Sequence, residues 1–213
     1  MVILLLAGVA WAGPPCAPDP ASAAPVTVTL RGHAYRRIGA CGDVPVLRVA
    51  STDSTFRDRS EAAGPVILVT DQSVDPTSAD GWPAPAGNLY LSVVVPLDVE
   101  PARAHLVRGL EAWRSARAPE WTWTVGWDGP YGAHRDASGR LVTGLALEPR
   151  PGGATALGVD VHLSASQADY GSLGASGGHA TLAEARGAPV PVEPELWDLL
   201  GRLWVAPEPA PTP

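Results

Sequence analysis

Apolar and polar positions alternate in short blocks along this chain, and most of the blocks have the period of a strand. Val26 to Leu30 alternates residue by residue, which sends successive side chains to opposite faces of a sheet. Val44 to Ala50 predicts a second strand. Val66 to Thr70 is an unbroken run of β-branched and aliphatic residues and predicts a buried one. The strongest strand pattern is Asn88 to Pro96. Thr122 to Trp127 predicts another, with Trp123 and Val125 on one face. Leu141 to Glu148 and Ala154 to Ser164 predict a hairpin closed by Pro149-Arg150-Pro151-Gly152-Gly153.

Helical spacing is rarer. Glu100 to Arg117 places Ala102, Leu106, Leu110 and Trp113 on one face. Phe56 to Ala63 predicts a short helix capped by Ser54 or Thr55, and Thr181 to Arg186 another. Glu193 to Val205 predicts a longer helix with Leu196, Leu199, Leu200 and Leu203 on a face. Pro, Gly, Ala and Ser dominate Gly13 to Pro25 and Ser73 to Gly87, which read as a flexible lead-in and a loop, and Pro207 to Pro213 reads as a disordered tail. No internal repeat is present. Hairpin-paired strands interrupted by helices predict an α+β domain: a mixed, largely antiparallel sheet with helices packed on it. The expected organisation is a signal peptide over 1–12, a Pro/Ala-rich lead-in with a short strand over 13–43, the α+β domain over 44–205, and the tail over 206–213.

Composition narrows the function classes. Apolar residues make up 46% of the 213-residue chain, enough for a core. All 15 basic residues are arginine, and against 22 acids the net charge is −7, a field that does not gather nucleic acid or anionic membrane. The apolar run Val2 to Ala10 is too short to span a bilayer. With Ala10-Trp11-Ala12 behind it, the run reads as an export signal, although no Arg or Lys precedes it. The expectation is therefore a periplasmic or secreted protein. The alternative is a cytoplasmic one whose start codon is misplaced or whose apolar run is a buried strand. Cys16 and Cys41 are the two cysteines, and in an exported chain they either pair or remain two separate thiols. His33, His105, His134, His162 and His179 are scattered without metal-ligand spacing, so no metal site is expected. There is no nucleophile elbow and no Walker loop. Of the eight tryptophans, Trp113, Trp123, Trp197 and Trp204 read as core, and Trp82 and Trp127 as candidates for a cleft.

Several segments, in order, resemble the catalytic domain of biotin–protein ligases, whose fold lipoate–protein ligases share. They are Asp53-Ser54-Thr55; Ile67 to Gln72; Trp82 followed by Gly87-Asn88-Leu89-Tyr90-Leu91-Ser92; Thr124 to Pro130; Leu141-Val142-Thr143-Gly144-Leu145; Leu157-Gly158-Val159-Asp160-Val161; and Thr181 to Ala185. They span roughly Val44 to Trp204, and the Asn-Leu-Tyr-Leu-Ser strand is the distinctive one. The resemblance implies a small-molecule site made by Asp53, Ser54, Thr55, Gln72, Trp82, Gly87, Asn88, Gly144, Gly158 and Asp160. It implies biotin as ligand, ATP and magnesium as cosubstrate and metal, and a carrier protein as acceptor if the ligase activity persists.

The departures from the family pattern fall on the nucleotide side. The Gly-Arg-Gly-rich loop is replaced by Val74-Asp75-Pro76-Thr77-Ser78-Ala79-Asp80-Gly81, where acids stand beside the expected triphosphate. The Lys-Trp-Pro-Asn-Asp segment has become Gly126-Trp127-Asp128-Gly129-Pro130, with Asp128 as a shifted substitute. Leu141 stands at the family's lysine, and after a one-residue slip the neighbouring Arg140 would reach the site in its place. Asp160 stands where the family has Asn. The favoured reading is a degenerate ligase that binds a biotin- or lipoate-like molecule. The alternatives are an active ligase using Arg140, and a partner-binding module without a small ligand.

Overall fold

A computed structural model of the chain describes residues 16–30, 33–49, 66–71, 88–163, 180–188 and 190–206. Ten strands form one sheet. They are β1 (Cys16–Pro18), β2 (Thr27–Leu30), β3 (His33–Cys41), β4 (Val44–Arg48), β5 (Ile67–Asp71), β6 (Asn88–Val95), β7 (Trp123–Asp128), β8 (Tyr131–Asp136), β9 (Leu141–Arg150) and β10 (Ala154–His162). Their spatial order is β1-β3-β4-β5-β6-β10-β9-β8-β7, with β2 also paired to β3. Every pairing is antiparallel except that of β4 with β5. The sheet is thus mixed and largely antiparallel, as the hairpin signals predict.

Three described helices accompany it: α1 (Val99–Arg117), α2 (Leu182–Arg186) and α3 (Val192–Leu203). The α1 stripe is the expected one, since Ala102, Leu106, Leu110 and Trp113 are all fully buried. They pack with Leu196, Leu199, Leu200 and Leu203 of α3 against Leu89, Leu91, Val93, Leu145, Leu147, Leu157 and Val159 of the central strands. Each such aliphatic side chain withdrawn from water contributes about 2 kcal/mol. Gly109 lets the helices meet closely, because a Cβ there would lie 2.9 Å from a Leu203 methyl. α2 begins at Thr181, whose hydroxyl accepts from the Glu184 amide while the Glu184 carboxylate accepts from the Thr181 amide, a reciprocal cap.

The opposite face of the sheet carries a second, smaller cluster of Leu30, Tyr35, Leu47, Val49, Val66 and Leu68, confined to the β2–β5 side. Both Gly152 and Gly153 in the β9–β10 turn have positive φ, 80° and 72°, which that tight connection requires.

Three strands depart from the sequence expectation. The segment read as a flexible lead-in contains β1, which pairs with β3 and is joined to it by a Cys16–Cys41 disulfide. β3 itself and β8 have no clean period-two pattern, yet both are paired on each side within the sheet. Among the described residues, no helix is long and apolar enough to cross a membrane.

Candidate functional site

The centre of the sheet away from the helices is where the described site residues meet. On β6, β9 and β10 one set of alternate residues enters the core under the helices, and the other set faces outward. Tyr90, Ser92, Gly144, Ala146, Glu148, Gly158 and Asp160 belong to the outward set. Register places Gly144 and Tyr90 on either side of Asp160, and Ala146 and Ser92 on either side of Gly158. Two glycines, an alanine and a serine give this face a low floor, where bulkier side chains would fill it.

Asp160 and Gly144 are partly exposed, whereas Leu157, Gly158, Val159 and Val161 around them are buried. Among the described residues, nothing hydrogen-bonds or ion-pairs with the Asp160 carboxylate. Desolvation without a compensating partner pushes its pKa up to about 6. A Cβ added at Gly144 would lie 3.6 Å from that of Asp160. At Gly158 an added Cβ would lie 3.1 Å from the Tyr90 hydroxyl and 3.2 Å from the Ala146 Cβ. Tyr90, although it is level with Asp160, therefore leans along the sheet over Gly158. A small cavity of about 10 Å³ remains beside it, lined by Ser92, Glu148, Arg150 and Ala156 among others. Arg150 and Glu148 are ion-paired at 3.0 Å.

Arg140 lies elsewhere, four residues before Gly144 at the β8–β9 turn. Its Nε donates to Asp136 Oδ2 at 3.1 Å, and its guanidinium is 3.6 Å from Glu184 of α2. Asp136 also accepts from the Ser138 hydroxyl and from the Ser138 and Arg140 amides. Burial raises the Asp136 pKa, but those four hydrogen bonds together outweigh it and hold the carboxyl below its usual value. An open cleft of about 350 Å³ adjoins Arg140, with Trp121, Glu120 and Thr181 among its walls.

Trp127 is not on the face that carries Asp160. It aligns through Gly132 with the core residue Leu145 and lies under the Arg103 guanidinium of α1, 4.7 Å from the ring centre, so it belongs to the helix side. Asn88 opens β6 opposite His162. Asp53, Ser54, Thr55, Gln72, Trp82 and Gly87 lie outside the described residues, as do the helix expected over 56–63, the loop at 74–81 and the export segment. Gly144, Gly158 and Asp160 are brought together on neighbouring strands, and Arg140 lies apart from them at the β8–β9 turn. Tyr90 was missed as a site residue, although the alternation of its strand puts it on the same face as Ser92. Among the described residues, no three His, Cys, Asp or Glu side chains gather at metal-binding distance.

The arrangement of the sheet and helices has counterparts among solved structures. A biotin protein ligase from Aquifex aeolicus aligns with a TM-score of 0.53 at 15% identity, covering 74% of this chain and 66% of that one. The same organism's ligase in complex with biotin and ATP aligns with a TM-score of 0.51 at 14% identity, covering 74% and 68%. The fold is that of a biotin protein ligase. This chain spans about two thirds of the length of those ligases. No family model matches the sequence, and no curated protein does either. The biotin ligase fold is therefore carried here by a sequence that has diverged far from those ligases.

Proposed function

We propose that this chain is a ligase-fold protein without ATP-driven ligation, whose sheet face opposite the helices binds a biotin- or lipoate-like small molecule. The observation that carries this reading is the position of Arg140. It neighbours the position of the missing lysine, and it is held by Asp136 and Glu184 at the β8–β9 turn. A triphosphate needs cations aimed at it, since its reactions rest on positioning and charge neutralisation. Among the described residues of this face, the guanidinium of Arg150 is paired with Glu148, and Asp160 adds a negative charge. These residues do not fit ATP with magnesium, so the carrier-directed ligation of the family is not assigned to this chain.

The test is direct. Purified protein incubated with biotin, ATP and magnesium releases no pyrophosphate above background. Turnover that Arg140→Ala abolishes would overturn the reading in favour of an active ligase. Calorimetry with biotinamide and lipoamide shows binding of at least one of them; flat titrations with both remove the small-ligand site and favour a partner-binding module.

The same reading places the chain in a periplasmic or secreted setting. The apolar run before Ala12 and the Cys16–Cys41 disulfide support it, because such bonds persist in oxidising compartments. Mass spectrometry of the protein recovered from cells gives a mature N-terminus at Gly13, and an intact Met1 would reject export by cleavage.

A further inference from the structure

The open cleft beside Arg140 shares no wall with the face that carries Asp160. Three pieces of chain make it: the connection from α1 to β7, the β8–β9 turn, and the start of α2. α2 is fastened there at both ends. The Ala180 amide donates to the Leu141 carbonyl at 3.0 Å, and Arg186 Nε donates to the Arg117 carbonyl at 3.0 Å. The cleft of about 350 Å³ between these fixed walls falls in the size range of small-molecule sites.

Its walls carry both signs of charge. The Asp136 carboxylate is fully occupied, because the Ser138 hydroxyl, the Ser138 and Arg140 amides and Arg140 Nε all donate to it. Arg140 and Glu184 keep unused capacity. Arg140 directs its Nε to Asp136 and Ser138, which fixes the plane of the guanidinium. Its Nη1 stands 3.6 Å from Glu184 Oε1, beyond hydrogen-bonding distance, and its Nη2 has no partner among the described residues. Glu184 is anchored in turn. Its Oε2 accepts from the Thr181 amide at 2.7 Å, which leaves Oε1 over. The two side chains are 43% and 41% exposed, and a pair held this loosely adds little to stability. What it provides is a positive and a negative pole side by side, each held from behind.

An α-amino acid carries its ammonium and its carboxylate on adjacent carbon atoms. The carboxylate matches the two Nη groups of Arg140 as a charge-assisted fork, and the ammonium beside it meets Glu184 Oε1. Four charges then alternate in sign around a ring. The walls hold three carboxylates, Glu120, Asp136 and Glu184, against the one guanidinium, a net charge of −2 that disfavours a plain anion. Trp121 with Ala137, Ala180 and Ala185 supplies apolar wall for a side chain.

We propose that this cleft binds a free α-amino acid with an apolar side chain, its carboxylate on Arg140 and its ammonium on Glu184. The site is separate from the small-ligand site proposed above and does not depend on it.

Three forms of one molecule test the assignment: L-leucine, L-leucinamide, which keeps the ammonium alone, and N-acetyl-L-leucine, which keeps the carboxylate alone. Each is titrated calorimetrically at pH 7 into the full chain, into Arg140→Gln, and into Glu184→Gln, whose amide oxygen still caps Thr181. Circular dichroism checks the folding of both variants. The native protein is expected to bind leucine at least about tenfold more tightly than either derivative, with N-acetyl-leucine the weakest. Arg140→Gln removes the advantage of leucine over leucinamide, and Glu184→Gln removes its advantage over N-acetyl-leucine. Equal affinities for the three in the native protein, an advantage that survives in either variant, or failure of leucine to bind overturns the inference. If a variant does not fold, the ranking in the native protein decides by itself.

Discussion

Two desolvated titratable residues on opposite faces of the sheet pull stability in opposite directions over the same pH range. His134 is fully buried on the helix side, stacked on Trp123 with ring centres 4.2 Å apart, and neither ring nitrogen has a partner. Burial lowers its pKa to about 4, the Arg114 charge adds to this, and Glu111 partly opposes it. Its folded pKa lies below the unfolded value, so its contribution is complete above pH ~6.5 and declines as pH falls toward 4. Asp160 behaves inversely. Its folded pKa is raised, so its contribution is complete below the unfolded pKa and is lost as pH rises through about 6. Each effect is on the order of 3 kcal/mol at its limit, and between pH 4 and 6 the two slopes largely cancel. Thermal melts of Asp160→Asn are therefore expected to show a Tm that climbs with pH through this window, and a higher Tm than the native protein at pH 8. Melts of His134→Phe, which keeps the ring on Trp123, are expected to show a Tm that falls instead. Parallel profiles for all three proteins would reject the assignment. Gly39 is a third sensitive residue. A Cβ there would collide with the Ala17 carbonyl and the Trp197 ring, so Gly39→Ala should cost about 2 kcal/mol in chemical denaturation by pushing β1 off β3.

The helices are held to one another by charge as well as by leucine. Glu195 of α3, with its side chain only 5% exposed, accepts from the Trp113 indole at 3.1 Å and from Arg117 at 2.8 Å, and Arg186 of α2 stands 3.6 Å away. Removing the carboxylate leaves a buried indole N–H without its acceptor, and leaves Arg117 with Asp198 and Arg186 with the Arg117 carbonyl as their remaining partners. Glu195→Ala should lower stability by about 3 kcal/mol, measured by urea denaturation, and Glu195→Gln by less, because the amide oxygen still serves Trp113. The elements on either side of this network were legible in the sequence for a simple reason. α1, α3 and β6 each bury one face completely, and burial of one face imprints the period. β8 was not legible because Tyr-Gly-Ala-His-Arg-Asp buries only His134, and its conformation is imposed by pairing with β7 and β9. The short β1 was hidden by the Pro and Ala content around it, and what holds it is a disulfide rather than a pattern.

Over the whole molecule, the order of the motifs was enough to expect the fold, since those on β5, β6, β10 and β9 lie on successive neighbouring strands. Gly144, Gly158 and Asp160, scattered along sixteen residues of sequence span, become one patch because β9 and β10 are a hairpin. The direction of the Arg140 side chain was not legible, because it is set by Asp136 and Glu184, which the local sequence does not advertise. The disulfide acts at this scale too. Joining Cys16 to Cys41 across 25 residues restricts the unfolded chain, and its removal in a Cys16→Ser/Cys41→Ser variant should cost about 3 kcal/mol.

That cross-link also decides what the rim of the sheet offers to other molecules. β1 covers the amide and carbonyl groups of Gly39 to Cys41, beside the Trp197 ring. With the bond reduced, β1 is left with its three-residue pairing, the Asp19–Arg37 ion pair and the Asp19 amide bond to the Ile38 carbonyl, and its departure would bare a strand end with an indole next to it. Bared strand ends are templates for adding further strands. The thiol form of this protein is therefore expected to self-associate on standing in reductant, seen as growing light scattering, while the oxidised form remains dispersed.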